Sequence, residues 1–209
     1  RPIIKAAVQA QTDYLNTLPG YQHKGLQQWL HCRDCALQQQ PKLIEDITQW
    51  RLQTLGLLLA KQGFNADDAK HFASAAYKVF AQARSNITVT DDVLNLLDKL
   101  ATRFTLIAIT NGNADVSQFN LNNKFNLVLQ AGLHGKAKPH NNLFDQAATH
   151  LQVPHKAILH IGDSLDSDVQ GANNAGCQSV WLNNQAANYT YKGLADIEIT
   201  NINALSHLI

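Results

Sequence analysis

Residues 160–176 read His-Ile-Gly-Asp-Ser-Leu-Asp-Ser-Asp-Val-Gln-Gly-Ala-Asn-Asn-Ala-Gly and place three carboxylates, Asp163, Asp166 and Asp168, within six positions. They follow a short apolar run, Ala157-Ile158-Leu159-His160-Ile161, and no Lys or Arg lies near them in sequence. Carboxylates this close repel one another unless a positive group sits among them. Two other polar clusters follow apolar runs. Thr110-Asn111-Gly112-Asn113 comes directly after Phe104–Ile109, and Lys136-Ala137-Lys138-Pro139 comes shortly after residues 126–130. Together the three clusters offer a hydroxyl, backbone N–H groups, a cation and a carboxylate. That set suits a phosphoryl group accompanied by a metal ion.

Each residue also has a plainer reading. Asp163 could cap the helix that begins near Asp166, but the ordered occurrence of Thr110 and Lys138 favours a metal ligand. Asp166 reads as a first-turn acid, favourable at a helix N-terminus. Asp168 could be the same, although a role behind the metal is preferred. Lys136 reads as a solvated loop lysine, and Lys138, extended before Pro139, as the functional one. Thr110 gains weight from the Asn-Gly turn that follows it. Cys32 and Cys35 have CxxC spacing, but they fall inside an amphipathic helix without a second pair, which argues against zinc. Arg51 lies on an apolar helical stripe beside Trp50. It is either an arginine laid along a bundle or a substrate-facing residue with Trp50 as a flat surface. His134, His140 and His160 share no ligand spacing and read as loop or packing histidines.

The elements that must position these groups change character along the chain. Up to about Ser85 the apolar residues keep helical spacing. Ile4, Ala7, Val8, Leu15 and Leu18 precede a break at Pro19-Gly20, and Leu26, Trp29, Leu30 and Leu37 continue in a second helix. Pro41 is expected to open a third helix, ending at Gly63. Asn65 is expected to cap a fourth, with Asp67 and Asp68 in its first turn. After Asn86, Thr90 caps a helix, and strands are expected at 104–110, 126–130, 157–162, 178–182 and 197–199. Helices fit between several of them, notably at 141–151 and 167–175. This alternation predicts an α/β class protein with a Rossmann-like parallel sheet, whose ligands sit at the carboxyl ends of the strands. The expected organisation is therefore a helical domain over residues 1–85 and an α/β domain over 86–209.

The chain of 209 residues is 45% apolar and 16% charged, with a net charge of +1. No basic stripe supports nucleic-acid binding, and no apolar run is long enough to span a bilayer. Three cysteines without a disulfide spacing pattern fit a reducing, cytoplasmic compartment.

The ordered motifs resemble the haloacid dehalogenase (HAD) superfamily of hydrolases. The strand ending in Thr110, the lysine Lys138 and the acidic GDxxxxD signature from Gly162-Asp163 to Asp168 match its second, third and fourth motifs. The helical first part is similar to its helical-bundle cap. The runs 110–113, 131–139 and 46–51 look most like the YigB-type flavin mononucleotide phosphatases, which are also linked to a ribitylamino-uracil phosphate. The resemblance implies a Mg²⁺-dependent phosphatase working through an aspartyl-phosphate on a small phosphorylated metabolite. Asp163 would be the acidic Mg²⁺ ligand, and Asp168 would orient Lys138 or a metal-bound water. Thr110 and the Asn111-Gly112 backbone would hold phosphoryl oxygens, and Lys138 would offset the charge of nucleophile and phosphate. Trp50 and Arg51 would face the substrate.

One family feature is missing from the chain. The first motif, DxDx[TV], ends a central strand that should lie between the strands at 104–110 and 157–162. The sequence, which opens Arg1-Pro2 and contains no Met, has no such strand. The nucleophilic and acid/base aspartates are therefore expected before Arg1. The rival readings are a 2-haloacid dehalogenase, which forms the same aspartate ester without a metal, and a non-catalytic phosphate-binding protein.

Overall fold

The computed structural model describes residues 2–112, 119–121, 123–183 and 194–209. They form two compact units, Arg1–Thr88 with Gly112–Asn120, and Val89–Asn111 with Leu121–Ile209.

The first unit is a bundle of four helices: α1 (Pro2–Asn16), α2 (Gly25–Gln39), α3 (Ile47–Ala60) and α4 (Ala66–Arg84). Helix α3 packs on α2 and on α4, and α4 also packs on α1. The close approach of α4 follows from its small buried face: Ala69, Ala73 and Ala76 recur at helical spacing before Phe80. Leu15, Leu55, Leu58, Leu59 and the Cys32 thiol fill the space against them. Asn65 caps α4 as expected, its side chain accepting from Asp68 N–H at 2.9 Å. The third helix departs from expectation. Pro41–Glu45 form a separate 3-10 turn, and α3 starts only at Ile47. The reason is Asp46, whose carboxylate accepts from both Thr48 and Gln49 N–H at 3.0 Å and so creates a new N-terminus. Thr90, by contrast, sits at the cap position of the fifth helix but makes no side-chain cap bond; its hydroxyl donates to Asp92 instead.

The second unit is α/β. Helix α5 (Asp91–Ala101) precedes β1 (Ile107–Thr110), β2 (Leu127–Gln130), α6 (Asn142–Leu151), β3 (Leu159–Gly162), α7 (Gln170–Ala175), β4 (Gln178–Leu182) and β5 (Ile197–Ile199). All pairings are parallel, in two ladders: β1 with β2, and β3–β4–β5. The strand expected from 104 starts at Ile107, because Phe104 closes the end of α5 through its N–H to Leu100 O. One apolar layer joins Leu96, Leu100 and Leu205 to Leu106 and Ile161, so both ladders share a core on that face. On the opposite face, Leu143, Phe144, Ala147 and Ala172 pack against Ile109, Leu129 and Ile158.

Among the described residues no backbone hydrogen bond joins β1 to β3. Both strands are only half-buried along their whole length, although Ile107, Ala108, Ile109 and Ile161 are apolar. In β4, Ser179, Val180 and Trp181 are buried. A central parallel strand would pair on both edges and be covered on both faces. No described helix is long and apolar enough to cross a membrane.

Candidate active site

Lys138 lies beyond the carboxyl end of β2 and is 8% exposed, so its ammonium must be paired inside the protein. Its Nζ donates to Asp168 Oδ1 at 2.6 Å and to the Ile109 carbonyl of β1 at 2.9 Å. The backbone of Lys138 is held as firmly. Asn111, just past β1, accepts from Lys138 N–H at 2.7 Å and donates its side-chain amide to Lys138 O at 2.8 Å. The end of β1, the loop after β2 and the turn after β3 therefore converge on one lysine.

Asp168 reaches that lysine through local backbone shape. Leu165–Val169 form a single π-helical turn rather than the start of a regular α-helix at 167. Its Asp168 carboxylate folds back, accepting from Ser164 N–H at 3.0 Å through Oδ2 while Oδ1 faces Lys138. The space it occupies belongs to Gly162. A Cβ on that glycine would lie 2.2 Å from Asp168 Cγ. The glycine of the GDxxxxD signature is thus required by the aspartate that ends it.

His160 completes the cluster. Its Nε2 lies 3.4 Å from Asp168 Oδ1 and 3.5 Å from Lys138 Nζ, and its ring stands edge-on to Phe144 at 5.0 Å between centroids. Burial lowers its pKa, against the raising effect of Asp168, which keeps the ring neutral. Asp168 responds to the same surroundings. Burial raises its pKa, but the His160 hydrogen bond, the Lys138 charge and the Ser164 N–H outweigh it and hold the carboxyl well below its usual range. Sequence spacing to the other histidines gives no sign of His160. Strand alternation was the available signal, because residues 160 and 162 of β3 share a face.

Asp163 is half-buried at the end of β3, and its carbonyl accepts from the buried Trp181 indole of β4 at 3.3 Å. It does not cap the following turn: Ser164 does, its hydroxyl accepting from Ser167 N–H at 3.2 Å. Thr110 ends β1, its carbonyl accepting from Ala131 N–H at 2.9 Å. Gly112 falls to the first unit, and Asn113 lies outside the described residues. Asp166 and Lys136 are exposed.

Mg²⁺ is usually held by one or two carboxylates, with waters and phosphate oxygens filling an octahedron. Asp163 fits as one such ligand. Asp168, with both oxygens engaged inside the protein, fits behind the first shell rather than in it. Among the described residues no group of three or more His, Cys, Asp or Glu side chains converges. In particular, Cys35 lies 3.6 Å from His31, while Cys32 is buried in the bundle.

The neighbouring residues Trp50 and Arg51 point to different places. Trp50 donates its indole N–H to Arg33 O at 2.9 Å and lies under the Arg33 guanidinium. Arg51 donates to Gln11 Oε1 at 3.0 Å and stacks on Phe80 at 3.7 Å, with Trp29 at 5.3 Å. The aromatic surfaces beside Arg51 are therefore Phe80 and Trp29.

The profile of the haloacid dehalogenase-like hydrolases matches residues 1–176. The chain is 34% identical over 217 aligned residues to 5-amino-6-(5-phospho-D-ribitylamino)uracil phosphatase YigB of Escherichia coli K12, covering all of this chain and 90% of that protein. Among solved structures, a 2-haloacid dehalogenase from Pseudomonas syringae pv. Tomato DC3000 superposes with a TM-score of 0.93 at 31% identity, over 99% of this chain and 90% of that one. The magnesium-bound HAD-hydrolase YfnB of Bacillus subtilis shares the fold, with a TM-score of 0.64 at 18% identity over 99% and 92% of the two chains. With three motif positions gathered around Lys138 and matches that run along nearly the whole sequence, the chain belongs to the haloacid dehalogenase-like hydrolase family.

Proposed function

We propose that this protein is a cytoplasmic, Mg²⁺-dependent phosphomonoesterase acting on a small phosphorylated metabolite. The observation that carries the reading is the buried Lys138–Asp168 pair at the carboxyl ends of β1 and β3, beside the half-buried Asp163. A cation fixed by a carboxylate and a carbonyl cannot swing away, which suits it to a fixed place beside a phosphoryl group. Thr110 Oγ1 and the Asn111-Gly112 backbone would receive phosphoryl oxygens. The Asn111 side chain, already spent on Lys138, acts by positioning that lysine. Asp163 would hold the metal, which when bound supplies charge neutralisation at the phosphoryl group. The family's aspartate nucleophile would attack phosphorus and release the alcohol, and water would then cleave the aspartyl-phosphate. We assign that aspartate to a strand lying between β1 and β3, which no backbone hydrogen bond joins among the described residues. The helical unit would serve as the cap. The three cysteines are free thiols, as suits a reducing compartment.

Similarity to YigB makes 5-amino-6-(5-phospho-D-ribitylamino)uracil the leading substrate, with flavin mononucleotide second. The dehalogenase relative supports a rival reading, hydrolysis of a 2-haloacid. An assay of the full-length protein separates them. Phosphate release from either phosphate ester that stops with EDTA is the expected result. Chloride release from 2-chloropropionate that is indifferent to EDTA, without phosphate release, would replace this reading with the rival.

A further inference from the structure

The helical unit contains a cavity of about 320 Å³ that the phosphatase reading leaves unused. It opens between α1, the segment before α2, the first turns of α2, and α3. Its polar lining includes Gln11, Lys24, Gln28 and Arg51, and Trp29 and Tyr21 supply aromatic walls. Leu15 and Leu58 add apolar surface, and no Asp or Glu lines it. Such a volume is at the small end of ligand pockets, which combine apolar walls with a few polar groups.

Arg51 is the unusual member. A guanidinium carries five N–H donors, yet its only hydrogen bond among the described residues goes to Gln11 Oε1. No described carboxylate pairs with it. Gln11 itself is only 4% exposed. Burial pushes the Arg51 pKa down to about 10, so the group is still charged at neutral pH. Phe80 covers one face of the guanidinium at 3.7 Å. A charge held this way without a counter-charge is costly unless an anion meets it. Nε and Nη2 of Arg51 must reach accessible surface, because no buried side-chain nitrogen or oxygen of the described residues lacks a hydrogen-bond partner. Arg51 lines the cavity, and so does the exposed Lys24.

We propose that this cavity is a binding site for a small organic anion with a flat ring, its carboxylate received by Arg51 and Lys24 and its ring by Trp29. A planar carboxylate matches the guanidinium fork in two hydrogen bonds, which an ammonium cannot reproduce. The aromatic wall and the two leucines select a ring over an inorganic anion.

The test uses the full chain and benzoate as the probe, with benzyl alcohol as its uncharged counterpart, followed by ligand-observed NMR and calorimetry. Benzoate is expected to bind at least about tenfold more tightly than benzyl alcohol, the margin of a charge-assisted bidentate contact. Arg51→Lys and Lys24→Glu should each weaken benzoate by about tenfold or more. Lys24 is exposed, so its variant is read on a folded bundle even where Arg51→Lys unfolds. Trp29→Leu should weaken benzoate and leave the charge preference intact. The proposal is overturned if folded protein does not bind benzoate, if benzyl alcohol binds equally well, or if Lys24→Glu leaves benzoate affinity unchanged.

Discussion

Lys138 and Asp168 form a buried ion pair whose members each have additional partners, so removing one side strands a charge. Lys138→Met should destabilise the protein by about 3–5 kcal/mol in urea unfolding, whereas adding Asp168→Leu to it should recover much of that loss. Gly162→Ala tests position rather than charge. Its Cβ would displace the Asp168 carboxylate, so phosphatase turnover should fall about 100-fold while far-UV circular dichroism stays native. Acid acts on the same cluster. His160 and Asp168 both have lowered pKa values in the fold, so the unfolded chain binds protons more readily at each. Stability from these groups is therefore full above about pH 6.5 and declines on acidification, first as His160 titrates and then, below about pH 4, as Asp168 does. His160→Phe should remove the first part of that decline in urea midpoints measured across pH. At this scale the meeting of Lys138 and Asp168 was legible because their types and spacing are chemical. His160 was not, because one partner comes from a loop 22 residues earlier and the other only meets it through the π-helical turn after β3.

Elements place these residues through short-range devices. Asp46 starts α3, which carries Trp50 and Arg51. Asp46→Ala should cost about 0.5–2 kcal/mol in thermal or urea unfolding. Most helices and strands were readable from periodicity, since Asn65, the apolar runs and the Pro19-Gly20 break are local signals. Asp46 was overlooked because Pro41 offered an earlier start, and only the second cap, two donors on one carboxylate, shows where the α-helix begins. The π-helical turn at 165–169 was equally hidden. Its shape answers to Lys138, which no local propensity encodes. The parallel order of the strands was expected from the alternation of strands and helices along the second half of the chain.

At the scale of the molecule, two units divide the work. The α/β unit gathers Lys138, Asp168 and His160 at its strand ends, and the helical unit holds a charged arginine in an apolar bundle. Substrate identity is the part sequence reasoning reaches least, because it depends on side-chain directions. Trp50 and Arg51 are adjacent in sequence yet contact different neighbours. We propose a Mg²⁺-dependent phosphomonoesterase site at the carboxyl ends of β1 and β3, with Asp163 as a metal ligand. The most direct test is phosphate release by the full-length protein as a function of Mg²⁺ concentration, for wild type and Asp163→Asn. Half-saturation by Mg²⁺ is expected to move at least about tenfold higher in the variant. Identical Mg²⁺ dependence in the two proteins would contradict it.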